Sequence, residues 1–368
     1  MRRTRSLLTT LTVAVAALSL STAPRPADAA GPTPIRTAVV LADFGGKTVD
    51  PGPRYRGWLT DTYFGSADSL RSYYEEASDR RITFTPMTGR QPVLGPWKLD
   101  LGATCDFKTI ETATRRQLAA HGIAASEFDR LSIVVPDMRG QCAWLGLGQQ
   151  PGNVHMLMDT FDLGHLIHEN GHNFGFWHLF GARCDTGLLT KCADIGWQGS
   201  TPMGKGSSKA GLAPTELVKA GWTSPDQRIE NPASGTYSLT PLHATADVTG
   251  PRILDVPIDG DGGRLIVAYR KEGTTLDTAV ETGVLLYKTT TANYGRSWLI
   301  DPTPATSEDN TLPPGTTVTA PNGTRVTVES VTDQAAAVRI EGATAPPTPT
   351  PPAPPSTPPR TCWWFICW

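Results

Sequence analysis

The order of apolar and polar positions divides the chain into two textures. From Ile35 to Ala42 the residues are almost continuously apolar, the pattern of a buried strand, and Asp43, Gly45 and Gly46 end it. Ser66 is placed to cap a helix from about Ala67 to Ala77, which carries Leu70, Tyr73, Tyr74 and Ala77 at helical spacing. A strand over Arg81–Thr85, a helix over Lys108–Ala120 and an apolar strand over Leu131–Val135, stopped by Pro136, come next. Two short extended pieces, Cys142–Leu147 and Val154–Met158, then lead into a further helix from about Thr160. Strands and helices mixed in this way predict an α/β domain reaching residue 222.

From Thr223 the pattern changes to short alternating runs, among them Gly235–Thr240, Arg264–Tyr269, Gly283–Tyr287, Thr324–Val328 and Ala337–Ile340, punctuated by Gly, Pro, Asn and Asp. This predicts an antiparallel all-β domain, a sandwich or small barrel, over residues 223–343. Within it Asp259-Gly-Asp-Gly-Gly263 resembles the start of a calcium loop, but Arg270 stands where the twelfth-position Glu belongs, so the segment reads as a hairpin turn. Residues 344–360 form a Pro-rich linker, with nine prolines among the fifteen residues Pro346–Arg360, which cannot build a core. In the eight-residue tail 361–368, three tryptophans beside Cys362 and Cys367 suit contact with a surface or polymer, or the stump of a lost module.

The N-terminus adds a destination. Arg2, Arg3 and Arg5 precede an apolar stretch from Leu7 to Leu20 and a small-x-small site at Ala27-Asp28-Ala29, the three zones of a secretory signal over residues 1–30. No apolar run is long enough for an integral membrane span, so the mature chain is expected outside the cell. Fewer than ten residues then separate the cleavage site from the first strand, too few for an inhibitory pro-segment. An oxidising compartment favours disulfides among the six cysteines. Short loops close cheaply, which favours Cys184 with Cys192 and Cys362 with Cys367 and leaves Cys105 for Cys142. Lys+Arg of 33 against Asp+Glu of 35 provides no cationic surplus for nucleic acid. The 36 Gly and 32 Pro disfavour an all-helical protein.

The chemistry is concentrated in His168-Glu169-x-x-His172-x-x-Gly175-x-x-His178. On a helix His168 and His172 project from one face and can share one ion. Glu169 is rotated away from them and is free to handle the proton of a water molecule. Gly175 can take the left-handed conformation that ends a helix and turns the chain, so that His178 arrives as the third ligand. Three protein ligands leave a fourth position open, the arrangement of a catalytic rather than a structural Zn2+ site. Zinc lowers the pKa of coordinated water from 15.7 to about 7 and polarises a carbonyl, and Glu169 then serves as general base. His165, three residues before His168, lacks a following Glu and reads as a supporting or packing residue.

With this extended motif, and with Ser200-Thr-Pro-Met203-Gly204 further on, the chain resembles the metzincins. Through Thr201-Pro-Met203-Gly204 and Ala213-Pro-Thr-Glu-Leu-Val-Lys-Ala-Gly-Trp222 it is most similar to the gametolysin family of secreted endopeptidases. The resemblance covers residues 35 to 222 and implies a metzincin-like α/β catalytic domain, a twisted mixed sheet plus an active-site helix. It further implies that His168, His172 and His178 bind zinc, that Glu169 is the general base, and that Met203 floors the site. An edge strand above the cleft, with Cys142–Leu147 the candidate, would receive substrate as an added antiparallel strand. No Tyr occurs between Met203 and Tyr237 to act on an oxyanion, which leaves zinc as the main electrophile.

The expectation is therefore a secreted, monomeric zinc metalloendopeptidase acting on extracellular proteins or glycoproteins, with the metallopeptidase domain at residues 31–222. Two rivals are a zinc amidase acting on cell-wall peptides and a non-catalytic extracellular binding protein with a structural metal. A structural site has no use for Glu169, which weighs against the second.

Overall fold

The apolar run near the start of the chain becomes β1 (Thr33–Asp43), the most heavily partnered strand of the first sheet. The computed structural model describes residues 31–184, 187–205, 208–259, 261–302 and 310–342, so the expected signal, linker and tail lie outside the described residues. Helix α1 (Pro53–Phe64) and helix α2 (Leu70–Ala77) follow, then β2 (Ile82–Pro86), β3 (Val93–Lys98), α3 (Phe107–Ala120), β4 (Arg130–Val135), β5 (Gly146–Gly148) and β6 (Val154–Met158). The strands order as β2-β1-β4-β6-β5 with β3 also paired to β1. Every pairing is parallel except the edge strand β5, which runs antiparallel to β6.

Alternation along these strands gives the sheet two apolar faces. Ala38, Val40, Ile133, Val135 and Met156 pack with Ile110 and Leu118 of α3. Val39, Leu41, Val134 and Leu157 face the opposite way, into a core shared with Leu59 of α1 and Tyr74 of α2. Helix α4 (Leu163–Asn173) belongs to that second core through Leu166 and Ile167. It is held at its middle and its C-terminal end: the Tyr74 hydroxyl donates to the Ile167 carbonyl at 2.8 Å, and Asn173 Nδ2 donates to the Val154 carbonyl of β6 at 2.9 Å.

Beyond α4 come β7 (Phe180–Cys184), β8 (Cys192–Trp197), the single turn α5 (Pro202–Lys205) and α6 (Pro214–Ala220). Then follow β9 (Arg228–Glu230), β10 (Gly235–Leu239), β11 (Ile253–Pro257), β12 (Gly263–Arg270), β13 (Gly283–Thr290) and β14 (Trp298–Asp301). The last strands are β15 (Thr311–Leu312), β16 (Thr317–Thr319), β17 (Arg325–Val331) and β18 (Ala336–Glu341). The second sheet orders as β8-β7-β14-β13-β12-β11-β9, with β15 also on β13, and the third as β10-β18-β17-β16. Residue 222, where the sequence texture changes, is thus no break between sheets, because β7 and β8 share theirs with strands as late as β15.

The purely antiparallel expectation needs correction in two places: β14 pairs with β7 and β11 with β9 in parallel. Both pairs join strands far apart in sequence or separated by another sheet's strand, and such long connections permit a parallel approach. Strand β12 is buried throughout because both its faces are covered. Ile266 and Ala268 meet the core of Phe176 and Trp222, whereas Leu265, Val267 and Tyr269 meet Val326, Val338 and Ile340 of the third sheet. The layers therefore run α3, first sheet, a layer holding α1, α2 and α4, second sheet, third sheet. The motif helix lies in the middle layer.

Several boundaries move for local reasons. The second helix starts at Leu70 rather than Ala67, because Ser69 and Ser72 form a reciprocal capping box at 3.0 Å in each direction. The motif helix starts at Leu163 rather than Thr160, where Asp162 accepts from the His165 amide. Of the expected extended piece Cys142–Leu147, only Gly146 and Leu147 enter a strand. Cys105–Cys142 and Cys184–Cys192 are disulfide-bonded, and Cys362–Cys367 lies outside the described residues. The Asp259 segment is a turn whose carboxylate accepts from the amides of Asp261 and Gly263. No described helix is long and apolar enough to cross a membrane.

Candidate metal centre and cleft

His168 and His172 stand one turn apart on α4, and Gly175, at φ +89°, turns the chain back after the helix as its position in the motif predicts. The reversal brings His178 to the same point. The three imidazole ring centres form a nearly equilateral triangle with sides of 4.7, 4.9 and 5.1 Å. Their ligand atoms all lie within 4.8 Å of one another, and this is the one such His/Cys/Asp/Glu group among the described residues.

Hydrogen bonds decide which nitrogen faces inward. The Nδ1 atom of His168 donates to the Pro202 carbonyl at 2.8 Å and that of His172 to the Phe176 carbonyl at 2.8 Å. A carbonyl can only accept, so both rings carry their proton on Nδ1 and keep a lone pair on Nε2. Burial pushes the His168 pKa down to about 3 and that of His178 to about 4, with neighbouring histidines adding to it, and lowers His172 as well. The rings are neutral at physiological pH, the form that binds a metal. The donor set fits a divalent ion such as zinc.

Glu169 is 6 % exposed, and burial alone pushes its carboxyl up to about 8. It reaches a cleft of about 450 Å³ bordered by the three histidines, Trp144 to Gly148, Trp197 and Lys205. Strand β5 passes so close to α4 that side chains are excluded there. A Cβ on Gly146 would lie 2.6 Å from Glu169 Oε1, and one on Gly148 would lie 2.5 Å from the Glu169 carbonyl. On the far side of α4, a Cβ on Gly171 would lie 2.2 Å from the Met203 sulfur, so Met203 packs directly under the helix. Met203 is fully buried.

His165 does not join the triangle; its Nδ1 pairs with Asp162 at 2.8 Å, and the residue borders the cleft. Trp197 is a site residue that the motif does not announce. Its ring lies 4.2 Å from that of His178 and stacks over that of His168 at 6.3 Å, yet it is 44 % exposed. A tryptophan directly before Gln198-Gly199-Ser200 is the available signal, but only the β7–β8 hairpin brings it to the histidines.

The profile of gametolysin peptidase M11 matches residues 65–327, more than half of the 368. The chain belongs to the gametolysin M11 family. The M11 match runs from the turn before α2 into β17 and so takes in the second sheet. As an M11 protein the chain is a metallopeptidase, and the histidine triangle is the metal-binding candidate that the structure supplies. The solved structures that align with it include two of one protein. Wild-type OgpA from Akkermansia muciniphila is 13% identical over 81% of this chain and 93% of its own, with a TM-score of 0.35. Catalytically inactive OgpA in complex with an O-glycopeptide (glycodrosocin) substrate is 13% identical over 81% and 92%, with a TM-score of 0.34. None of the curated proteins matches the sequence.

Proposed function

We propose that the protein is a secreted zinc endopeptidase of the metzincin type, with its catalytic residues within 31–222. One arrangement carries this reading: three neutral imidazoles converge beside a buried glutamate at the floor of a cleft edged by a short strand. His168, His172 and His178 would hold the zinc. Zinc, when bound, supplies Lewis acidity toward water and the substrate carbonyl. Glu169 is the general base: its carboxylate takes a proton from the attacking water and delivers it to the amide nitrogen as the C–N bond breaks. The unpaired side of β5 receives the substrate backbone as an added antiparallel strand, and Trp197 walls the cleft opposite. The two disulfides and the signal-like N-terminus support export, and the substrate is an extracellular protein or glycoprotein, cleaved by a monomer.

The test compares the wild type with Glu169→Gln for zinc content and hydrolysis of a denatured protein. Stoichiometric zinc in both, with activity reduced on the order of 10³-fold in the variant, is expected. Equal cleavage by the two would remove Glu169 as the base. Zinc in both with no cleavage by the wild type would favour a binding protein.

A further inference from the structure

One fully buried carboxylate has no part in the chemistry above. Glu216 of α6 is 2 % exposed, and its Oε2 accepts from the Ala213 amide at 2.7 Å and the Thr201 hydroxyl at 2.7 Å. The first bond caps the start of α6. The second reaches a different part of the fold. Thr201 precedes Pro202, whose carbonyl holds His168 Nδ1, and Met203, whose amide donates to Thr201 Oγ1 at 3.4 Å and whose sulfur lies against Gly171. Glu216, Thr201, the Pro202-Met203 turn and His168 therefore form a single connected path.

The β strands hold the other end of this path. Burial pushes the Glu216 carboxyl up to about 7, while Thr201, Ala213 and the Arg270 guanidinium of β12 pull it back. Arg270 and Asp277 are a wholly buried ion pair with an Nε to Oδ2 distance of 2.6 Å. Asp277 accepts from the Gly211 amide at 2.8 Å, and Arg270 donates to the Gly211 carbonyl at 3.2 Å. On either side, Tyr73 of α2 donates to the Ala210 carbonyl at 3.0 Å and His243 to the Leu212 carbonyl at 2.8 Å. The segment 210–213, which joins the methionine turn to α6, is thus tied residue by residue to side chains from α2, β12 and the loops at 243 and 277.

We propose that Glu216 is a positioning residue that couples the β12 side of the second sheet to His168 through Thr201, so that strands beyond residue 222 help set the metal-binding geometry. This rests on the reading that the three histidines bind zinc. Ligands held by outer hydrogen bonds lose 10- to 100-fold in metal affinity when such partners are removed. A purely structural network would change stability alone.

The experiment measures zinc affinity by chelator competition, and urea stability of the zinc-free chain, for the wild type, Thr201→Val, Thr201→Ser, Glu216→Gln, Arg270→Lys and His172→Ala. Thr201→Val and Glu216→Gln are expected to weaken zinc binding about tenfold, with Thr201→Ser near wild type because it keeps the hydroxyl. Arg270→Lys, which keeps the charge but loses the fork, is expected to weaken zinc binding several-fold. The double variant Thr201→Val/Glu216→Gln should be no worse than the worse single, since both cut one path. Should Thr201→Val fail to fold, Glu216→Gln against Thr201→Ser carries the same comparison. Unchanged affinity in all of these, with His172→Ala abolishing zinc uptake, would overturn the coupling and leave the metal site intact. No zinc uptake by the wild type would overturn both.

Discussion

The Nδ1 atom of His168 donates to the carbonyl of Pro202 at 2.8 Å, across 34 residues of sequence. That bond ties the Pro202-Met203 turn to the candidate metal centre, since the residue that orients His168 is the neighbour of the residue packed under the helix.

Gly171 tests the floor. A methyl group there has no room, because the Met203 sulfur is fully buried and cannot swing into solvent. Gly171→Ala is expected to cost about 2 kcal/mol of stability by overpacking and to weaken zinc binding about tenfold. Adding Met203→Ala should recover part of the affinity, a non-additivity visible in chelator competition. Additive losses would mean the two residues do not share the space.

Gly146 and Gly148 separate the proposed base from the scaffold. At Gly146 the obstacle is the Glu169 carboxylate, so Gly146→Ala should displace the proposed base and lower kcat/KM at least about tenfold with zinc content unchanged. At Gly148 the obstacle is α4 backbone, and Gly148→Ala should destabilise the chain by about 2 kcal/mol as β5 is forced off the helix. Steady-state kinetics and urea unfolding on both variants distinguish these, and identical behaviour would contradict the geometry.

His243 predicts a pH dependence of stability. Burial, with Arg270 and Arg252 adding to it and Asp277 opposing, pushes its pKa down to about 4. The unfolded chain takes up this proton below about 6.5, whereas the folded chain does so only near 4. Stability from His243 is therefore complete above 6.5 and falls as pH drops through that window, on the order of 1.4 kcal/mol per unit. His243→Gln lacks this slope. The stability of the wild type relative to the variant should decline by about 2 kcal/mol between pH 7 and 4.5 in urea titrations, and a constant difference would refute it.

The Cys184–Cys192 disulfide closes the hairpin that presents Trp197. For a separation of eight residues the chain-entropy estimate is about 2.5 kcal/mol, which is the loss expected of Cys184→Ser/Cys192→Ser in urea unfolding. Since the hairpin also carries one wall of the cleft, KM should rise more than kcat falls.

What the sequence made legible is what is local. Five motif positions, the left-handed Gly175, the strand Val154–Met158 and both described disulfides follow from spacing and residue chemistry. Helix α1 went unread because its buried residues, Leu59 and Thr62 to Phe64, crowd the last turns and leave no stripe along its first half. Strand β3 was hidden by Gly95 and Pro96, which read as a turn. The partnership of β7 with β14 and the burial of Glu216 depend on contacts between distant segments, for which periodicity holds no signal. The same applies to Trp197, whose role follows only from the hairpin's place.

The parallel pairing of Phe180–Arg183 with Trp298–Asp301 sets an order of events for a chain made from its N-terminus. When the motif helix and the hairpin after it have been made, β7 has only its hairpin partner, and the carboxylate of Asp301, which binds Arg183 at 2.7 Å, is still more than a hundred residues away. Completion of the sheet beside the Trp197 hairpin therefore waits for residues 298–301, long after all three histidines have been made.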